Sequence, residues 1–209
     1  MTAAGGPPAL EDVLEQARQL GFLGPGPVAA HVQHAGGFVQ AVGTPGPARV
    51  VDLGSGGGVP GLVLAFAWPG SSFLLLESKD RRAAFLAEAV QALALSDAVR
   101  VAHGRAEEVG RDPAWRGWAD LVVARSFGPP AVTAECASPL LHEGGRLVVS
   151  EPPVGDEDRW PAAGLAALGL RPAARIEQAF SRFQVLRQDE PCPEAYPRRS
   201  GVPAKRPLF

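Results

Sequence analysis

The sequence predicts an α/β fold: a mostly parallel, seven-stranded sheet that closes with an antiparallel hairpin. Three observations carry this. Short Val/Leu-rich runs alternate with helix-compatible stretches along residues 49–150, and the runs are continuously apolar, as strands buried on both faces are. Repetition of strand, helix and strand implies right-handed crossovers with helices on both faces of a parallel sheet. The last two strand candidates, 173–179 and 181–187, are separated only by the turn around Phe180, too short for a crossover, so they pair antiparallel.

The elements follow in chain order. Residues 8–20 form a helix, with Leu10, Val13, Leu14, Ala17 and Leu20 at helical spacing. Glu11, Asp12 and Glu15 lie in its first turns, where the helix dipole favours acids. Residues 28–42 form a second helix, weakened by Gly36 and Gly37. The linker GTPGPA at 43–48 separates this N-terminal helical extension, 1–47, from a domain spanning 48–195. In the domain, strands are predicted at 49–53 (RVVDL), 72–77 (SFLLLE), 98–102 (AVRVA), 119–124 (ADLVVA) and 145–150 (GRLVVS). Helices are predicted at 60–67, 79–95, 105–110, 129–141 and 158–168.

Length and composition bound the class. A chain of 209 residues with 46% hydrophobic content suits one α/β domain with a short addition, large enough to fold without staples. A net charge of −2 excludes a uniformly basic nucleic-acid binder. Charge is uneven, however: residues 196–209 form a basic tail with Arg198, Arg199, Lys205 and Arg206 and no acid. That tail either meets phosphates or straps the sheet edge, with Pro203 and Pro207 blocking further strand pairing. Cys136 and Cys192 lie far apart and have no metal-ligand spacing, so no metal is expected and a reducing, cytoplasmic setting fits. The start MTAAGGPPALEDV lacks the basic and apolar regions of a signal peptide. No apolar run reaches the ~18 residues of a membrane span, and a soluble monomer is expected.

The sharpest motif is the strand-to-helix stretch Val50-Val51-Asp52-Leu53-Gly54-Ser55-Gly56-Gly57-Gly58-Val59-Pro60-Gly61. Glycines let a backbone turn tightly and approach a ligand at the carboxyl ends of the strands. Pro60 suits the first turn of the following helix. Gly56, Gly58 and Gly61 also satisfy a dinucleotide fingerprint, a weak signal alone. Glu77 ends the second strand, where an acid accepts hydrogen bonds from ribose hydroxyls in either a nicotinamide dinucleotide or S-adenosylmethionine. Asp52 separates the two: an acid two residues before the first glycine, in the pattern D-L-G-S-G, is typical of methyltransferases. It would orient the loop or take the methionine amino group. The predicted fold is therefore a Rossmann-like class I S-adenosylmethionine-dependent methyltransferase. A nicotinamide-dependent oxidoreductase and a noncatalytic nucleotide-binding protein remain the alternatives.

From residue 28 onward the chain resembles the glucose-inhibited division protein B family. The resemblance rests on VDLGSGGGVPGLVLA (51–65), LLLESKDRRAAFL (74–86), HGRAEEV (103–109), ADLVVARSFGPP (119–130), PLLHEGGRLVVSE (139–151) and YPRRSGVPAKRPLF (196–209). The last is no generic Rossmann feature. The resemblance implies methyl transfer from S-adenosylmethionine to N7 of a guanine in 16S ribosomal RNA, as naked RNA or in the small ribosomal subunit. It also implies residue roles. Gly54, Gly56 and Val59 would line the methionine and ribose, and Glu77 would hold the ribose. Ala106 and Glu107 would contact the adenine. Arg125 would sit near the methyl group and target base, and Phe127 and Pro129 would shape the base pocket. The tail would meet RNA. His31 and His34 are read as ordinary partly buried histidines, and Trp115 and Trp118 as packing beside the fourth strand, with base stacking as their alternative. Two departures keep open a divergent paralogue acting on a small molecule or protein, or a noncatalytic relative. Residues 1–30 lack the family's usual tryptophan-asparagine and asparagine-leucine-threonine stretch. The fifth strand ends Ser150-Glu151-Pro152-Pro153 where the family has leucine-lysine-glycine, exchanging a cation for an anion.

Overall fold

The computed structural model describes residues 9–152, 159–179 and 181–209. Its strands are β1 (Arg49–Leu53), β2 (Ser72–Glu77), β3 (Val99–His103), β4 (Ala119–Ala124), β5 (Leu141–Glu151), β6 (Leu170–Gln178) and β7 (Ser181–Gln188). They form one sheet in the order β3-β2-β1-β4-β5-β7-β6. The first five run parallel, and β7 is antiparallel to both β5 and β6, between which it inserts. Chain order reverses between β1 and β4, so a crevice opens at their carboxyl ends, where open α/β sheets bind ligands.

Alternation along the strands explains the two-sided core. Val50, Phe73, Leu75, Leu121 and Val123 join one buried cluster, and Val51, Leu74, Leu76, Val122 and Ala124 join the other. Each such side chain contributes roughly 1.5–3 kcal/mol by leaving water. Helices α1 (Leu10–Gln19), α2 (Val28–Val42), α3 (Gly61–Ala67) and α4 (Asp80–Ala92) supply the first cluster. Helices α5 (Ala106–Val109), α6 (Pro130–Ala137) and α7 (Ala162–Ala166) cover the second, together with Tyr196, Leu208 and Phe209 of the tail. The tail itself carries the short helix α8 (Val202–Lys205).

Several boundaries differ from expectation, each for a local reason. Helix α2 runs unbroken through Gly36 and Gly37. Gly37 is a close-approach position: a Cβ there would meet the Phe183 ring at 2.9 Å and Ser181 Oγ at 2.7 Å. The helix expected at 129–141 stops at Ala137, a 3-10 turn covers Ser138–Leu140, and β5 starts at Leu141 rather than 145. Its Gly144-Gly145 pair sits in a register shift opposite Ala119/Leu121, so a sequence that reads as a turn is a bulge inside a strand. Strand β6 starts at Leu170, three residues earlier than predicted, because a second register shift at Pro172/Ala174 absorbs the proline's missing donor. Helix α4 ends at Ala92, short of 95, where Ala94 leaves helical geometry at φ 55°. Pro60 caps α3 rather than opening it. Of the helix predicted at 158–168, only Ala162–Ala166 is helical among the described residues; residue 158 lies outside them, as do Pro153, Phe180 and residue 8.

Candidate functional site

The glycine loop is fastened to β2 by its own backbone: Gly54 and Ser55 N–H groups both donate to the Leu76 carbonyl, at 2.9 and 3.0 Å. Asp52, at 1% exposure, accepts the Gly61 N–H on Oδ2 at 2.9 Å, while Ser55 Oγ donates to the Asp52 carbonyl. Its Oδ1 is buried with no partner among the described residues. Burial pushes the Asp52 carboxyl up to about 7, against the opposing pull of the Gly61 and Ser55 hydrogen bonds and the Arg125 charge. Glu77 braces the loop from β2: Oε2 accepts the Gly56 N–H and Oε1 the Lys79 N–H, each at 2.9 Å. Gly54 adopts φ +77°, and a Cβ there would strike the Phe127 ring at 2.7 Å. Val59 is buried against Leu14 and Ala35 below the loop.

A cavity of about 350 Å³ opens beside the loop, lined by Gly54, Glu77, Ser78, Ala106, Glu107, Phe127, Pro129 and, from the tail, Ala204. Lys79, Arg82 and Arg105 also line it, three cations that reading the motifs missed although the run SKDRR carries two of them. Glu107 lines the cavity, but its carboxylate is turned to the tail, where Oε1 accepts the Gly201 N–H at 2.9 Å and an Arg105 N–H at 3.2 Å. Burial would raise the Glu107 carboxyl; those hydrogen bonds outweigh it and hold it below the ordinary value. A second cavity of about 240 Å³ shares Ser126, Phe127 and Gly128 with the first and continues to Ser150, Glu151 and Trp160. Glu151 accepts from the Arg159 guanidinium and from Trp160 Nε1 at 3.1 Å, so the anion that departs from the family pattern is compensated locally.

Arg125 follows β4 on the other side of the crevice. Burial lowers its pKa while the Asp52 charge raises it. One of its guanidinium N–H groups donates to His31 Nδ1 at 3.1 Å, and His31 Nε2 lies 3.1 Å from the Gly24 carbonyl. His34, one turn on, has Nε2 2.9 Å from Ser150 Oγ and a buried Nδ1 with no partner among the described residues. Both histidines are half-buried, as expected, and His34 packs against the Phe38 and Phe183 rings at 6.1 and 5.7 Å, but His31 also bonds Arg125, a contact that the sequence did not suggest.

The tail divides. Arg198 gives its backbone N–H, Nε and Nη2 to Glu135, at 2.9, 2.8 and 2.6 Å, and Glu135 is wholly buried. Its charge is thus bound up inside the fold, which removes it from the cations free to meet RNA. Arg199, Lys205 and Arg206 are exposed, and their side chains form no ion pair among the described residues. Trp115 and Trp118 pair edge to face at 5.4 Å, with Arg49 over the Trp118 ring, at the amino end of β4. That end is opposite the crevice, so the pair packs and does not stack on a base bound there.

A model of the family described as rRNA small subunit methyltransferase G (GidB) matches residues 30–151. The ribosomal RNA small subunit methyltransferase G of Symbiobacterium thermophilum is 41% identical over 192 residues, 87% of this chain and 78% of that protein. The protein of the same name from Moorella thermoacetica is 35% identical over 175 residues, 80% and 72% of the two chains. Among solved structures, a putative O-methyltransferase from Klebsiella pneumoniae superposes with a TM-score of 0.60 at 17% identity, covering 88% of this chain and 91% of that one. A variant of MtNAS in complex with S-adenosylmethionine gives 0.60 at 12% identity, over 88% and 73%. These likenesses show a shared class I methyltransferase fold.

Proposed function

The chain belongs to the rRNA small subunit methyltransferase G family, and from that premise we propose that it methylates N7 of a guanine in 16S ribosomal RNA, using S-adenosylmethionine. The observation that carries the cofactor reading is Asp52: a buried carboxylate at the crevice with one oxygen holding the loop and the other unpartnered. Such an atom is costly to leave unmade and suits a cationic donor.

S-adenosylmethionine supplies a sulfonium methyl group together with an ammonium that can occupy that acceptor. Asp52 Oδ1 would take the ammonium, and the glycine backbone from Gly54 to Gly56, supported from below by Val59, gives close approach to the methionine and ribose. Glu77 has a second lone pair on each oxygen beyond those used by Gly56 and Lys79, enough for two ribose hydroxyls. Ala106 and the backbone at Glu107 would wall the adenine end of the cavity that Ala204 also lines. The Glu107 carboxylate serves the tail.

Guanine N7 has an in-plane lone pair and no proton, so its attack on the methyl group needs no general base. The N–C bond forms as the S–C bond breaks, and the positive charge passes to the guanine ring. The protein's task is positioning, which supplies roughly 7–11 kcal/mol in well-oriented systems. Arg125 would face the reacting groups with donors to spare beyond His31, and the second cavity, bounded by Phe127, would admit the target base. Arg199, Lys205 and Arg206 would meet RNA phosphates, with Arg198 holding their segment in place. The same reading has the protein act as a cytoplasmic monomer; no helix among the described residues is long and apolar enough to cross a membrane. The charge argument for a small-molecule or protein substrate rests on the net charge of −2 and on Glu151, and Arg159 answers the second of these.

Mapping 7-methylguanosine in 16S RNA from a strain lacking the gene tests the reading. One guanine should lose its methyl group and regain it when purified protein and cofactor are supplied to naked RNA or to small subunits. An unchanged methylation map would refute the RNA substrate, and absent turnover of labelled cofactor would leave a noncatalytic relative.

A further inference from the structure

The assignment of Arg125 to the reacting centre leaves its orientation unexplained. A guanidinium has five donors and four rotatable bonds behind it, and a side chain that is to work by positioning has to be held. Asp52 acts on Arg125 through its charge, with no hydrogen bond between them among those described. The contact that fixes the guanidinium comes from the N-terminal extension: His31 Nδ1, at 3.1 Å.

The hydrogen-bond chain determines the state of the imidazole. Arginine only donates, so Nδ1 must be the acceptor with its lone pair free. Nε2 must then carry the proton, and it has an acceptor for it in the Gly24 carbonyl at 3.1 Å. Both ring nitrogens are satisfied only in the neutral Nε2–H form. A second proton would place an N–H of the imidazole against an N–H of the guanidinium. The surroundings oppose that proton: burial first, then the Arg125 charge, hold His31 below the usual imidazole pKa. His34 on the same helix is held down by burial, Arg125 and His31 in turn.

We propose that His31, on α2, is a positioning residue for Arg125, fixing the guanidinium just beyond the carboxyl end of β4 through its neutral Nε2–H tautomer. In this arrangement the N-terminal helices are part of the active-site architecture, because the chain from Gly24 through α2 reaches across to the crevice of the domain. The inference rests on the reading of Arg125 given above and adds to it the group through which the fold controls that side chain.

Single-turnover methyl transfer from labelled S-adenosylmethionine to undermethylated small subunits tests it with His31→Ala, His31→Gln, Arg125→Ala and the His31→Ala/Arg125→Ala double variant. His31→Ala should slow the transfer step 10-fold or more while cofactor affinity stays within about twofold, and His31→Gln, which keeps a neutral acceptor, should recover most of the rate. In the Arg125→Ala background the loss of His31 should cost nothing further, because a residue acting through Arg125 has nothing left to act on. A readout free of activity uses imidazole ¹⁵N shifts: the wild-type protein should show the Nε2–H tautomer, and Arg125→Ala should raise the His31 titration midpoint by removing a nearby positive charge. A normal rate in His31→Ala beside a slow Arg125→Ala overturns the inference and leaves the proposed function standing. So do additive losses in the double variant, or an unmoved midpoint, either of which makes His31 a structural residue of α2. A normal rate in Arg125→Ala removes the site assignment and this inference together.

Discussion

The glycine loop and the C-terminal tail both line one cavity, through Gly54 and Ala204, and are held there by different means. The loop is held by its own backbone and by its neighbour strand: Gly54 and Ser55 bond Leu76, Asp52 bonds Gly61. The tail has one short helix and is held by carboxylates far away in sequence, Glu135 on Arg198, Glu107 on Gly201 and Glu108 on Ser200 Oγ. Arg116 adds a clasp on the carbonyls of Cys192, Pro193 and Tyr196. The lesson is about where each half is vulnerable. The loop rests on its glycines and on carboxylates of its own and the neighbouring strand, Asp52 and Glu77, whereas the tail depends on carboxylates distant in sequence.

The sharpest way to break that comparison is Arg198→Ala. Glu135 is fully buried, and removing its cation leaves a carboxylate with only the backbone N–H of residue 198. Stranding a buried charge costs about 3–5 kcal/mol; a loss of about 4 kcal/mol in urea unfolding is expected. Cofactor affinity should weaken as well, because Gly201 and Ala204 leave with the segment. A loss below about 1 kcal/mol would mean that the tail is docked by its apolar contacts, Tyr196, Leu208 and Phe209, instead.

Asp52→Asn probes the loop in the same units with the opposite sign. An acid whose folded pKa is raised from 3.8 to about 7 contributes stability that is fully present below pH 3.8 and lost as pH rises through about 7. The wild-type protein without cofactor should therefore lose stability from this group across that window, and the asparagine variant should not. At pH 8 the variant should be more stable by about 2 kcal/mol, part of the relief being offset by a buried amide N–H without a partner. Its affinity for S-adenosylmethionine should fall about tenfold or more, since the acceptor for the ammonium has lost its charge. Parallel stability-against-pH curves for the two proteins would show that Asp52 titrates alike in the folded and unfolded chain, so that burial does not raise its pKa.

The same contrast decides what could be read from the residues alone. The central strands are legible because both faces are buried, so β1, β2 and β4 are continuous apolar runs and fall where predicted. The loop is legible because its determinants are adjacent: Asp52, four glycines and Pro60 lie within nine consecutive residues. Strand β5 is misjudged at its start because Gly144-Gly145 punctuates a strand there, through a bulge, as readily as it would end one. The contacts of Arg198 and His31 escape the sequence for a different reason. Their partners, Glu135 and Arg125, stand 63 and 94 positions away, and no periodicity or spacing reports a contact across that distance. A basic residue in a basic tail looks free until the buried acid that holds it is seen.

Glu77→Ala sharpens the comparison at smaller cost. Glu77 bonds the loop and is assigned to the ribose, so its loss should loosen S-adenosylmethionine binding about tenfold, near 1.4 kcal/mol by calorimetric titration. The effect on RNA affinity should be nil, because no RNA contact is assigned to it. Equal cofactor affinity in the variant and the wild type would move the ribose elsewhere in the cavity.

The smallest expected effect separates the tail's two roles. Replacing Arg199, Lys205 and Arg206 together by glutamine leaves Arg198 and its buried partner intact, so folding and cofactor affinity should be unchanged. RNA affinity should fall, and the slope of log affinity against log salt should flatten by about 2 for single-stranded RNA if all three meet phosphates, each contact releasing about 0.7 counterions. A flattening of only about 0.7 would assign a single phosphate contact to the tail. An unchanged slope with unchanged affinity would leave the tail as a wall of the cofactor cavity alone and shift the RNA-facing charge to Lys79, Arg82 and Arg105, which line the same cavity.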